Sequence, residues 1–131
     1  NRIREGSDVC FLSTGNVMPM VLEAADMLGN SGISCAVDSF HTVKPLDEAR
    51  LAEVFEQYSI VATVEEHGLI GGFGSAVAEW LVAHKIDSRR LISFGTPDEF
   101  LHTVGSQQYA RERFGLTSAA LESGVRSALC S

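Results

Sequence analysis

The chain has 131 residues, 45% of them hydrophobic, with a formal net charge of −7 and an isoelectric point near 5.0. That length and apolar content suit one compact domain with a real core, and the acidity opposes binding to a phosphate backbone, which needs clustered Lys and Arg. No apolar run nears the roughly 20 residues of a membrane-crossing helix and no basic-then-apolar leader opens the chain, so the expectation is a soluble, cytoplasmic protein without nucleic-acid or membrane partners.

Asp8 to Thr14 (DVCFLST) is a nearly continuous apolar run stopped by Gly15 and Asn16, the pattern of a strand covered on both faces. Val17, Val21, Ala24, Ala25 and Leu28 then fall on one helical stripe, with Gly29 and Gly32 as its stop. A second buried strand is expected over Ile33 to Ser39 (ISCAVDS). Asp47 is a good N-cap for the next helix, and Leu46 and Leu51 stand at the two positions of a hydrophobic staple around it. Leu51, Val54, Phe55 and Tyr58 form the buried face of that helix.

Ser59 to Glu65 (SIVATVE) is rich in β-branched residues and predicts a third buried strand, ended by Glu66, His67 and Gly68. After the loop IGGFG, Val77, Trp80, Leu81 and His84 recur at helical spacing, and Leu91 to Phe94 is a fourth strand. The last third alternates turn residues with helical patches and finishes in a helix from Thr117 to Leu129. Its apolar positions are Leu121, Val125 and Leu129, with Thr117 as cap and Leu116 and Leu121 as a second staple. Strands alternating with helices argue for right-handed crossovers and a parallel sheet covered on both faces, a three-layer α/β/α sandwich. Residues 1–131 read as a single domain, and the start at Asn1 hints that it is cut from a longer chain.

In open parallel sheets polar ligands collect beyond the carboxyl ends of the strands. That places Thr14-Gly15-Asn16, Ser39-Phe40-His41 and Glu65-Glu66-His67 on one rim. Three chemistries compete there. Gly71-Gly72-Phe73-Gly74 could offer backbone N–H groups to a phosphate at a helix start. It lacks the GxGxxG spacing and downstream acid of a dinucleotide site, so the stronger alternative is that these glycines supply positive φ angles and close packing of helix on sheet. Glu65, Glu66 and His67 could form an acid/base group. Strand alternation lets at most two of them converge, so the alternative is one carboxylate bonded to loop N–H groups, with the His facing solvent or a partner subunit. Metal binding by His41, His67, His84 and His102 has little support, because no pair has HxxxH spacing. Cys10, Cys35 and Cys130 show neither CxxC nor Cys/His spacing, and Cys10 and Cys35 read as small core residues.

Taken together, EGSDVCFLSTG, HTVKPLDE, VATVEEHGLIGGFGSAVAEWL and GTPDEF…ARERFGLT resemble the C-terminal domain of the transketolase family in order and spacing. The most specific parts are Lys44-Pro45-Leu46-Asp47 and the run from Glu65 to Glu79. Similar segments occur in deoxyxylulose-phosphate synthases and 2-oxoacid dehydrogenase β subunits, and the likeness is greatest to bacterial split transketolases. The resemblance implies a mixed five-stranded sheet, with Asn1 to Arg4 as an antiparallel edge strand beside four parallel ones. It implies a parent enzyme using thiamine diphosphate and Mg²⁺, both held by preceding pyrimidine- and pyrophosphate-binding domains and none by this one.

The role so implied is structural: packing against the pyrimidine domain, helping to form a homodimer or heterotetramer, and walling the approach to the active site. Lys44, Pro45 and Asp47 match the family's helix-start motif, and Gly71, Gly72 and Gly74 match its tight loop. Glu65, Glu66 and His67 match the end of the third parallel strand, where the synthases tend to carry Asn at the position of His67. His41 stands where the synthases and dehydrogenase β subunits commonly have Arg, so both histidines favour the transketolase branch. No residue of the chain is assigned a catalytic, cofactor-binding or metal-binding role. A stand-alone flavodoxin-like binding or regulatory module is the alternative from a different class.

Overall fold

The computed structural model describes residues 2–14, 17–40, 46–66, 72–95 and 116–130. The chain runs β1 (Arg2–Arg4), β2 (Val9–Ser13), α1 (Met18–Gly29), β3 (Cys35–Ser39), α2 (Glu48–Gln57), β4 (Ile60–Val64), α3 (Phe73–Ala83), a 3₁₀ turn (Ser88–Arg90), β5 (Leu91–Phe94) and α4 (Ser118–Leu129). The strands form one five-stranded sheet in the order β1-β3-β2-β4-β5. β2, β3, β4 and β5 are parallel, and only β1 runs antiparallel, against β3. The mixed sheet with one antiparallel edge strand is the arrangement the resemblance implied.

Strand alternation divides the core in two. Val9, Phe11, Val37, Ala62 and Val64 face α1 and α4. Cys10, Leu12, Ala36 and Val61 face α2 and α3. β2 and β3 are therefore buried from end to end, which is why they read as apolar runs and not as alternating ones. The two helix starts inferred from staples hold. Asp47 Oδ1 accepts from the Arg50 N–H at 3.0 Å, and Thr117 Oγ1 accepts from the Ala120 N–H at 3.1 Å. Of the three apolar positions of α4, Leu121 and Val125 are buried and Leu129 is 38% exposed.

Helices α1 and α3 end in the same hydrogen-bond pattern with different residues. After α1, Gly32 takes φ +86° while the Ile33 N–H donates to Leu28 O. After α3, Lys85 takes φ +58° while the Ile86 N–H donates to Leu81 O and the Lys85 N–H to Val82 O. This is the Schellman ending, which glycine adopts without strain and an L side chain does not.

One carboxylate lies inside the apolar layer. Asp38, in β3, is fully buried and is gripped by two arginines. Arg2 Nε donates to its Oδ1 at 2.6 Å, while Arg50 Nε and Nη2 donate to Oδ2 at 3.0 and 2.8 Å. A buried charge persists only when paired and hydrogen-bonded in this way. Burial opposes the charge of Arg2, but its hydrogen bond and attraction to Asp38 outweigh that and push its pKa above the ordinary arginine value.

Two outcomes are expected. Lys85→Gly relieves the left-handed strain and raises stability by about 0.5–1 kcal/mol in denaturant melts; an unchanged or lowered midpoint contradicts it. The second concerns alkali. Burial pushes the thiols of Cys10 and Cys35 up from 9.0 to about 12 and about 11, with the Asp38 carboxylate a further cause for Cys10. Below pH 9 both thiols are neutral, folded or unfolded. Above it only the unfolded chain loses the protons, so stability falls from pH 9 towards pH 12. Chemical denaturation across that range is expected to show this decline, and the double variant Cys10→Ala/Cys35→Ala to flatten it.

Candidate functional site

The rim at the carboxyl ends of β2, β3, β4 and β5 is where the fold collects polar groups. Backbone bonds tie it together beyond the strands. The Phe40 N–H donates to Ser13 O at 2.9 Å, the Thr14 N–H to Val64 O at 3.2 Å, and the Glu65 N–H to Phe94 O at 3.0 Å. Ser13 and Thr63 are fully buried, Ser39 nearly so, and the rings of Phe40 and Phe73 pack 5.0 Å apart.

The decisive geometry is at the start of α3. Glu65 leaves β4 and turns its side chain under the helix, where Oε1 accepts from the Phe73 N–H at 2.9 Å and Oε2 from the Gly74 N–H at 2.6 Å. The helix has no cap from its own Gly72. An internal carboxylate thus sits where a phosphate would be placed by a glycine-rich helix start, at the positive end of the helix dipole. Glu65 is 6% exposed, so bulk anions have little access to those two N–H groups.

Gly74 shows how closely the first turn of α3 approaches the sheet. A Cβ there would lie 3.0 Å from Ser93 Oγ, 3.1 Å from Glu65 Oε2 and 3.1 Å from Thr63 Oγ1. Close helix packing, one half of the expectation for these glycines, therefore holds. On the other half, Gly72 has φ −93° and Gly74 lies in regular helix, so neither takes a positive φ, while Gly71 lies outside the described residues. Close approach to the sheet, not handedness, is what selects glycine at position 74.

Of the residues singled out from sequence, Glu65, Gly72 and Gly74 come together here, with the buried Glu66 beside them. Asp47 lies elsewhere, capping α2. His41, Lys44, Pro45, His67 and Gly71 lie outside the described residues, as do the loop positions Gly15 and Asn16, His102 and the stretch 96–115. His84 stands at the end of α3, stacked 4.4 Å over Trp80, with its Nδ1 2.9 Å from Trp80 O. Sequence reasoning missed the Asp38 clamp, although a carboxylate inside ISCAVDS was the available signal. It also missed Arg90, whose guanidinium caps the end of α2 by donating to the carbonyls of Phe55, Tyr58 and Ser59. No local pattern announces that contact.

The group the resemblance implies for the parent, thiamine diphosphate with Mg²⁺, does not fit the described residues. The N–H pair best placed for its pyrophosphate is filled by Glu65. Among the described residues no three His, Cys, Asp or Glu side chains are grouped to hold a metal ion, and none of the helices is long and apolar enough to cross a membrane.

The profile of the family described as "Transketolase, C-terminal domain" matches residues 1–121. The chain belongs to that family. It is 37% identical over 115 residues to the 1-deoxy-D-xylulose-5-phosphate synthase of Desulforudis audaxviator (strain MP104C), covering 88% of this chain and 18% of the relative. It is 36% identical over 125 residues to the synthase of Geobacillus thermodenitrificans (strain NG80-2), covering 95% and 20%. A solved structure titled "Split gene transketolase, inactive beta4 tetramer" superposes with a TM-score of 0.82 at 34% identity, over 99% of this chain and 42% of that one. The chain therefore spans about a fifth of the length of these curated relatives.

Removing the internal cap is expected to be costly without touching any chemistry. Glu65→Ala leaves the Phe73 and Gly74 N–H groups buried without acceptors and lowers stability by about 2–4 kcal/mol. Glu65→Gln, which keeps one acceptor oxygen, recovers part of that loss. Denaturant melts of the two variants check this; a loss under 0.5 kcal/mol for Glu65→Ala contradicts the capping role.

Proposed function

We propose that this chain is the C-terminal scaffold domain of a thiamine-diphosphate-dependent transferase that moves a two-carbon ketol unit between sugar phosphates. Enzymes of this family use that cofactor, and the family match runs over nearly the whole chain. The single observation that carries the supporting role is the bond pair from Glu65 to the Phe73 and Gly74 N–H groups. A helix start committed to its own carboxylate is a structural joint, and the reaction belongs to domains outside this chain.

On this reading the fold supplies a rigid body. It packs against the pyrimidine-binding domain, contributes to subunit contact and limits the approach to the active centre. The likeness to a split-gene transketolase supports a parent whose halves are separate chains, and a heterotetramer of such halves or a homodimer of complete chains is the assembly this reading expects. His41, Lys44, Pro45, His67 and Gly71 belong to that interface and loop set by their match to the family's motifs.

A second reading has its own support. The curated relatives described above are 1-deoxy-D-xylulose-5-phosphate synthases at 36–37% identity, as close in sequence as the split transketolase at 34%. The same scaffold would then serve synthesis of 1-deoxy-D-xylulose 5-phosphate. His67 and His41 favour the ketol-transfer branch.

The test compares this chain alone with the whole parent protein. The chain alone is expected to show no turnover with a ketose donor and an aldose acceptor. The parent with thiamine diphosphate and Mg²⁺ is expected to transfer the ketol unit. Formation of 1-deoxy-D-xylulose 5-phosphate by the parent, without ketol transfer, moves the assignment to the second reading. Turnover by the chain alone refutes the scaffold role.

A further inference from the structure

Strand β1 is attached unlike any other strand of the sheet. It has three residues, Arg2–Arg4, and pairs only with β3. Its register breaks between Arg2 and Arg4, leaving Asp38 and Val37 as its ladder partners. Its middle residue, Ile3, is 49% exposed, and no β1 residue joins either apolar core. Apolar burial, which fixes β2, β3 and β4, contributes little here.

Beyond its short backbone ladder to β3, what fastens β1 is charge. Arg2 Nε donates to Asp38 Oδ1 at 2.6 Å, and its Nη1 reaches Glu5 Oε1 at 2.9 Å and Tyr58 Oη at 3.3 Å. Arg4 pairs with Asp26, but that pair is open to water, with side chains 34% and 70% exposed, and such pairs stabilise little. Only the Arg2–Asp38 contact has a fully buried partner. We infer that β1 is an electrostatic strap: the Arg2–Asp38 pair holds it on the sheet, and it lifts from β3 as a unit while the parallel strands and helices stay folded.

Two features make that opening separable from unfolding. When Arg2 leaves, Asp38 keeps the forked grip of Arg50, whose Nη2 lies 3.0 Å from Oδ1 and 2.8 Å from Oδ2 and whose Nε lies 3.0 Å from Oδ2. The buried carboxylate keeps a cation and is not left as an orphaned charge in the core. Further along, the chain is pinned at Gly6, whose carbonyl accepts from Tyr58 Oη at 2.7 Å. The backbone passes so close to β3 there that a Cβ on Gly6 would lie 2.2 Å from the carbonyl carbon of Cys35. The strap ends at that pin, and lifting it bares the β3 edge at Val37 and Asp38, a template for another strand.

Native-state hydrogen exchange on the 131-residue chain in low denaturant reads this directly. The amides of β1, and those of the β3 edge facing it, are expected to exchange through an opening almost independent of denaturant, unlike those of β2 and β4. Arg2→Met keeps the side-chain stem and deletes the guanidinium. It is expected to speed β1 exchange at least tenfold and to leave β2 and β4 within twofold. Ile3→Ala is expected to change β1 exchange less than twofold. The inference is overturned if β1 exchanges only with the global denaturant dependence, if Arg2→Met leaves β1 exchange unchanged or speeds β2 and β4 equally, or if Ile3→Ala matches Arg2→Met.

Discussion

Two hydrogen bonds accepted by one carboxylate organise the rim at the carboxyl ends of the strands. Glu65 links the end of β4 to the first turn of α3 through the N–H groups of Phe73 and Gly74. A helix start presents unpaired donors and the positive end of a dipole, and burying it requires an acceptor from somewhere. In ligand-binding α/β folds a phosphate supplies that acceptor. Here the chain supplies it, and the consequences spread outward. Glycine at position 74 lets the helix descend closely onto Glu65, Thr63 and Ser93, and the rings of Phe40 and Phe73 pack 5.0 Å apart.

The same logic recurs deeper in the sheet. Asp38 places a full charge in β3, and Arg2 and Arg50 neutralise it from an edge strand and from the start of α2. Arg90 does the converse at the end of α2, where its cation meets three carbonyls and lies 5.5 Å from the Phe55 ring centroid. Each buried polar group joins elements distant in sequence, so these contacts lock register and orientation where apolar packing alone is permissive.

Much of the fold was legible because local signals agreed. The apolar runs at DVCFLST, ISCAVDS and SIVATVE marked strands that are indeed buried on both faces, with boundaries off by one or two residues. Leu46-Asp47-Leu51 and Leu116-Thr117-Leu121 announced two helix starts by a short-range mechanism, and short-range mechanisms survive into the tertiary structure. The end of α3 gave no such sign, since Lys85 occupies a position where glycine is the usual marker. The site was half legible. That one carboxylate of the Glu65-Glu66 pair would bond backbone N–H groups follows from strand-end geometry, but which one, and to which N–H groups, depends on the descent of α3. The Asp38 clamp joins positions 2, 38 and 50, and no window along the chain contains all three.

The donors at the start of α3 serve the fold and not a ligand. Amide chemical shifts of Phe73 and Gly74, followed by NMR during titration with inorganic phosphate and then with thiamine diphosphate and Mg²⁺, test this most directly. Both resonances are expected to stay in place up to millimolar ligand. Saturable shifts centred on these two amides, with Glu65 released from them, would contradict it.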